Sequence, residues 1–467
     1  MGHADQSTND QKAGNDHAVV PKSVPAVQPE GATCCSDNSA DTKVKTLTCS
    51  LTGMAPLFTP IKIGSLQLTH RIIMAPLTRC RASPEGVPNT ELAGTYYTQR
   101  TTKGGLIISE ATNISRQATG HFCAPGIYTP AQVEAWKSIT SAIQKKGGFI
   151  FLQLWHVGRG SHSKYQPDGR PPVGPSPIAI KEETSLPDGS LAPFEVPREL
   201  TLEEITAIVE DYRKATKNAF LAGFDGVEVH GANGYLIDQF LHDGSNQRKD
   251  KYGGSYENRA RFLLEVVEAV QQTWIEAAGA GSPKAANVGL RLAPFGKYQD
   301  MSDSHEAELY GYVIPNLNRF NLAYLHVVEP RVIGSTAAGP EAVEVVHSLG
   351  KTYNGPWITA GGYRPDDANK TVMDAAHSDP PRAVAVAFGR LFIANPDLPL
   401  RIFLRAPLHH YNRATFYTHD AVGYTDQPFL AAGDIVEGVK ELRVEQPDNQ
   451  KLQNAIEGEI QLLKVQA

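Results

Sequence analysis

From Leu57 onward this chain repeats one pattern: a short apolar run, a polar or glycine-bearing turn, then a stretch of helical period. The first three runs occupy residues 71–76, 105–110 and Phe149–Trp155. The stretch 223–235 supplies the fourth, with Val227 and Val229 as β-branched residues suited to a buried sheet. Val288–Leu292, Tyr324–Val328, Trp357–Ala360 and residues 383–388 complete a set of eight. Between them, Thr201-Leu202-Glu203-Glu204 reads as a capping box opening a helix over 201–220. Phe262, Val266, Val267 and Val270 at helical spacing predict another from Tyr256 to about residue 276. Eight buried strands alternating with helices predict an α/β fold and suit a (β/α)8 TIM barrel. An open doubly wound sheet has the same local alternation, so the pattern alone leaves both standing.

The pattern stops at both ends. Residues 1–54 are dominated by Asp, Asn, Ser, Thr, Gln and Gly with isolated apolar positions, a composition that predicts a disordered N-terminal extension. It has neither the apolar core of a secretory signal nor the arginines of an organellar transit peptide. Residues 55–430 form the expected barrel, and 431–467 read as a charged C-terminal helical extension, with the helix over 435–463. Within the barrel region, 158–198 is rich in Pro, Gly and Ser and shows no period. It is too long for an ordinary connection, which predicts a lid or substrate-facing insertion after the third strand.

Composition narrows the function class. At 467 residues, 41% hydrophobic and 20% charged, the chain is ordinary for a globular protein. Its net charge of −6 speaks against a nucleic-acid surface or an anionic membrane as partner. No apolar run approaches the roughly 20 residues needed to span a bilayer. Five cysteines, three of them in the polar N-terminal segment and none in a C-x-x-C pair, predict neither a disulfide scaffold nor a thiolate metal site. His156 and His162 lack the companions of a zinc site, so no metal is expected, and the cytoplasm is the default compartment.

In a barrel, chemistry gathers at the C-terminal ends of the strands. Those ends carry Pro76-Leu77-Thr78, Glu110-Ala111-Thr112, Gln153 with Trp155, His230 with Asn233 and Tyr235, Arg291, Glu329-Pro330-Arg331, Gly361-Gly362 and Gly389-Arg390. His230 and Asn233 offer two donors suited to gripping a carbonyl oxygen, and the Tyr235 phenol can deliver a proton. A satisfied βα loop is the bland alternative. Glycines after the seventh and eighth strands let backbone N–H groups approach a phosphate, and Arg390 adds a forked cation. Two tight turns with a surface salt bridge would use the same residues. A buried Arg291 needs an anionic or carbonyl-rich partner, whether a ligand or a carboxylate such as Glu228. Gln153 suits a heterocycle edge or an internal network equally.

Residues 57–429 resemble the Old Yellow Enzyme family of flavin-dependent ene-reductases, including its plant 12-oxophytodienoate reductases. The resemblance is carried by Ala75-Pro76-Leu77-Thr78-Arg79 and by His230-Gly231-Ala232-Asn233-Gly234-Tyr235-Leu236-Ile237-Asp238-Gln239-Phe240-Leu241. It is carried further by Asn246-Gln247-Arg248, Asp250-Lys251-Tyr252-Gly253-Gly254-Ser255, Phe388-Gly389-Arg390 and Asn395-Pro396-Asp397-Leu398. It implies non-covalent FMN at the barrel mouth, with Pro76, Leu77, Thr78, Ala111, Gln153 and Arg291 around its ring. Gly361, Gly362, Gly389 and Arg390 would hold its phosphate. NADPH or NADH would be the reductant. His230 and Asn233 would polarise the carbonyl of an enone, enal or related substrate, and Tyr235 would protonate the α-carbon. Tyr417 matches a substrate-lining tyrosine, and Arg331 an arginine that approaches substrate. The resemblance leaves monomer and homodimer both open. The absence of cysteines after Cys123 separates the chain from iron–sulfur relatives. Two other readings remain to be separated: a flavin-free barrel lyase, and a flavoprotein without turnover that serves as a binding module.

Overall fold

The structure, a computed structural model, describes residues 55–431 apart from 334–335 and 338–339, together with Gly433. The expected N-terminal extension and the charged helix over 435–463 lie outside the described residues. Eight parallel strands form the centre: β1 (Ile72–Met74), β2 (Leu106–Ile108), β3 (Phe149–Trp155), β4 (Gly226–Gly231), β5 (Val288–Leu292), β6 (Tyr324–Val328), β7 (Trp357–Ala360) and β8 (Val384–Phe388). β4 pairs with both β3 and β5, and β8 pairs with β1, so the sheet closes on itself. That closure decides for the (β/α)8 barrel over the open sheet.

Around the barrel run α1 (Thr90–Gln99), α2 (Pro130–Lys145), α3 (Leu202–Leu221), α4 (Leu236–Leu241), α5 (Tyr256–Ala278), α6 (Glu306–Leu317), α7 (Pro340–Gly350), α8 (Pro365–Ala376), α9 (Arg390–Ala394) and α10 (Leu398–Phe403). α3 starts where the capping box places it. The Thr201 hydroxyl accepts from the Glu204 N–H, and the Glu204 carboxylate accepts from the Thr201 N–H. Ile205, Ile208, Tyr212, Ala215 and Ala219 then form the buried stripe by which α3 packs on the barrel and α5.

Strand alternation sends every second side chain inward. Ile73, Leu106, Ile108, Phe151, Tyr324, Ile358 and Ala385 fill the interior. A hairpin (Ile61–Ile63 with Leu66–Leu68) adds its buried alternate residues to that cluster. Its Ser65 N–H donates to Asn287 Oδ1 at 2.8 Å, and Asn287 in turn donates to the Asp225 carbonyl at 2.8 Å. Asn287 and Asp225 precede β5 and β4, so the plug sits at the N-terminal end of the strands. The C-terminal end is left for chemistry.

The period-less insertion after β3 is not featureless. It contains a small hairpin, Glu183–Ser185 with Leu191–Pro193, turning at Gly189, and a parallel contact between Val173–Gly174 and Arg198–Glu199. No helix among the described residues is long and apolar enough to cross a membrane.

Candidate active site

The rim is built around the end of β4. His230 lies one residue from the strand's end, and the chain then turns through two left-handed residues, Asn233 (φ +58°) and Gly234 (φ +72°), before Tyr235 caps α4. A short amide side chain tolerates that conformation better than most. The turn is fixed from behind: the Gly234 N–H donates to Asp238 Oδ2 at 2.8 Å, and Gln239 Nε2 donates to the Gly234 carbonyl at 2.7 Å. The His230 and Tyr235 rings thus stand edge to face, 5.1 Å apart. Trp155, from the end of β3, packs at 4.8 Å from Tyr235 and 6.5 Å from His230, with His121 stacked behind it at 5.4 Å. Tyr298, from the loop after β5, closes the wall 6.5 Å from Tyr235.

Electrostatics sort these groups by role. Burial, then the Arg291 charge and the neighbouring His326, pushes the His230 imidazole well below its usual value, so it is a neutral donor at pH 7. Burial, then Tyr298, Tyr417 and Cys80, pushes the Tyr235 phenol well above its usual value. Tyr235 therefore keeps its proton until a strong base forms beside it.

Below the rim lies a polar network on one side of the barrel. Register pairs His230 with Arg291, and Arg291 with His326. One layer down, Gln153 pairs with Glu228. The fully buried Glu228 carboxylate accepts from Gln153 Nε2 at 2.7 Å and from His326 Nδ1 at 2.9 Å. Burial lowers the His326 pKa despite Glu228, which leaves a neutral ring donating through Nδ1. Arg291 also feels Glu228, against the larger effect of its own burial. Opposite this wall, Ala75, Ala360 and Ala387 keep the interior narrow-sided and apolar.

Three buried nitrogens along the top of the polar wall have no partner: His230 Nδ1, Arg291 Nε and His326 Nε2. A row of unsatisfied polar atoms facing small alanines is incompatible with a closed apolar core and suits a flat, heteroatom-rich ligand. At the end of β7, Gly361 has φ +137° and approaches the Glu329 carbonyl so closely that a Cβ would lie 2.6 Å from it. Gly362 follows at φ +79°. Gly389, after β8, faces Leu77, and Arg390 beside it is exposed and donates to the Tyr411 hydroxyl at 3.2 Å. These residues fit a cofactor with a planar ring and a phosphate.

Over residues 56–408 the chain matches the family described as NADH:flavin oxidoreductase / NADH oxidase. The chain belongs to that family. It is an NAD(P)H-dependent FMN ene-reductase of the Old Yellow Enzyme type, acting on the C=C bond of α,β-unsaturated carbonyl compounds. It is 48% identical over 384 residues to putative 12-oxophytodienoate reductase 11 of Oryza sativa subsp. japonica, covering 81% of this chain and 99% of that one. It is 48% identical over 380 residues to 12-oxophytodienoate reductase 1 of the same plant, covering 80% and 93%. Among solved structures, morphinone reductase superposes with a TM-score of 0.73 at 46% identity, covering 81% of this chain and 97% of that one. Morphinone reductase in complex with tetrahydroNAD superposes with a TM-score of 0.72.

For this ene-reductase the structure gathers most of the residues that the sequence singled out. His230, Asn233 and Tyr235 share one rim with Arg291 and Gln153 in the polar wall beneath it, and Pro76 and Ala111 are buried and Leu77 and Thr78 half-buried at neighbouring strand ends. Tyr417 is exposed, on a segment tied down by Arg81 Nη1 to the Phe416 carbonyl and Arg79 Nη2 to the Gly423 carbonyl. Arg331 is engaged elsewhere: its Nε lies 2.5 Å from Glu329 Oε2, and it donates to the Tyr363 hydroxyl at 2.9 Å. Sequence reasoning missed Tyr298 and His121, whose loops carry no strand signal. It also missed the role of His326, although a histidine and a glutamate at alternate, inward positions of buried strands are a readable sign of an internal polar pair.

Proposed function

We propose that this site reduces cyclic enones, with His230 and Asn233 gripping the carbonyl oxygen and Tyr235 protonating the α-carbon. The reading is supported above all by the unpartnered, neutral His230 standing 5.1 Å from a Tyr235 ring whose proton is held tightly. The relatives named for 12-oxophytodienoate and morphinone favour a ring ketone.

The His230 ring and the Asn233 amide each donate one hydrogen bond to the substrate oxygen, which drains electron density from the β-carbon. FMN held at this mouth would, when reduced by NAD(P)H, provide the hydride for that carbon. Negative charge then moves toward the gripped oxygen, where both donors strengthen as it develops. The α-carbon of the resulting enolate is basic enough to take the Tyr235 proton. Tyr298 and Tyr417, both exposed, lie on the side from which solvent returns it.

Arg291 would balance anionic charge at the edge of the ring, Gln153 would meet that edge from β3, and Thr78, Pro76, Leu77 and Ala111 would enclose the remainder. Gly361, Gly362, Gly389 and Arg390 would receive the phosphate. Arg331 reaches substrate only by leaving Glu329, so its first role here is to hold the ends of β6 and β7 together. Changing Tyr235 to Phe tests the assignment. Flavin reduction by NADPH is expected to keep its rate, and reoxidation by cyclohexenone to slow about 10²–10⁴-fold, the usual worth of a positioned acid. Equal slowing of both half-reactions would refute it.

A further inference from the structure

Behind the catalytic rim lies a buried charged cluster that the reaction itself does not use. His242 closes α4 and is 1% exposed. Its Nδ1 lies 2.9 Å from the Asp238 carbonyl and 3.3 Å from Asp238 Oδ1, and its Nε2 lies 3.4 Å from Glu306 Oε1. Each carboxylate reaches a different loop. Asp238 Oδ2 accepts from the N–H of Gly234, between Asn233 and Tyr235. Glu306 Oε1 accepts from the N–H of Phe295 at 2.5 Å, at the start of the loop that carries Tyr298. That second loop holds three non-glycine residues in the left-handed region, Phe295, Gln299 and Asp300, a conformation that needs outside support. The two loops also touch, since a Cβ at Gly234 would lie 2.7 Å from the Tyr298 carbonyl and 2.9 Å from Gln299 Cβ.

We propose that His242 is a positioning residue that clamps the Asn233–Tyr235 loop to the Tyr298 loop through Asp238 and Glu306. The proposal rests on the roles given above to Asn233 and Tyr235. Two carboxylates buried side by side repel each other and lose solvation, so the arrangement needs a cation between them. His242 supplies it. Burial alone would neutralise the ring, but Asp238 and Glu306 outweigh burial and push its pKa up to about 9. The other groups facing the cluster are Tyr310, which donates to Asp238 Oδ1 at 3.4 Å, and Lys297, half-exposed and 3.2 Å from Glu306 Oε2. Asp303, paired with Arg259, adds negative charge nearby.

The folded pKa lies above the ordinary value of about 6.5, so the clamp is fully present below that value and is released as pH rises through about 9. Tyr235 stays protonated through that range, so an alkaline fall centred there belongs to the clamp and not to the proton donor. The test uses prereduced holoenzyme and follows reoxidation by cyclohexenone from pH 6 to 10, with binding of a phenol ligand measured in parallel. Wild type is expected to lose both with a midpoint near 9. Glu306→Gln keeps an acceptor for Phe295 but removes one charge, so its midpoint is expected to move down by about one unit or more. His242→Gln is expected to slow reoxidation at pH 7 about tenfold and to abolish the alkaline limb, with flavin still bound. A wild-type profile flat between pH 8 and 10, or a Glu306→Gln limb at the wild-type position, would overturn the clamp. Tyr235→Phe separates the two ideas. If it slows reoxidation while the Glu306→Gln limb stays fixed, only the clamp fails. If it leaves reoxidation unchanged, the assignment of the proton donor fails as well.

Discussion

The Glu228 carboxylate sits where its charge should be felt by any anion that Arg291 stabilises, and Glu228→Gln measures that directly. The substitution preserves volume and a hydrogen-bonding oxygen while removing a charge from a fully buried site. Register fixes the geometry: Arg291 pairs with His230, and Glu228 lies two residues earlier on the same strand as His230. Two residues of strand span about 7 Å. At that separation and an effective dielectric of about 20, one unit charge acts on another with about 2.4 kcal/mol. For a two-electron couple that corresponds to about 50 mV. With FMN held as proposed, its reduction would add negative charge above Arg291 and Glu228 would oppose it, so the variant's midpoint potential is expected to rise by up to that amount. Equilibrium titration of the holoenzyme against a reference dye reads the shift. Reduction by NADPH should quicken and reoxidation by enone should slow, because driving force moves from the second half-reaction to the first. A potential that is unchanged, or that falls, would refute the placement of Glu228 beneath the ring.

Two further outcomes follow from the same geometry. His230→Ala removes one of two donors to an oxyanion and should weaken phenol ligands by about 1.5–3 kcal/mol, or roughly 10–100-fold in Kd. Because the wild-type imidazole is held neutral, that binding should show no step near the ordinary histidine value; a step there in spectral titrations would contradict it. Thr201→Ala cuts the capping box of α3, far from the rim, and should cost about 1 kcal/mol and about 2 °C in Tm. Activity should be unchanged at 25 °C, and a lost turnover with normal melting would show that α3 does more than pack.

How much of this was legible before any coordinates depended on the range of the interaction concerned. The capping box at Thr201 and Glu204 was readable because both its hydrogen bonds close within three residues. β3, β5, β6 and β7 fell where their apolar runs placed them, since strands buried on both faces leave little choice of boundary. The hairpin inside the insertion after β3 escaped because it has almost no core face: Leu191 is 64% exposed, and its strands lack an apolar alternation. At the site, His230, Asn233 and Tyr235 were visible as chemistry because one turn carries all three. Their supports were not. The bonds from His326 to Glu228 and from His242 to Glu306 join residues 98 and 64 positions apart, so a polar residue on a buried strand hints that it has a partner but does not say which residue that is. Arg331 shows how a close neighbour competes for a predicted site residue. It resembles a substrate-approaching arginine, yet Glu329 two residues away offers a nearer anion, and the guanidinium takes it. The sequence thus names the atoms that meet substrate more readily than the ones that hold them still. In a barrel the former sit on single turns and the latter bridge strands.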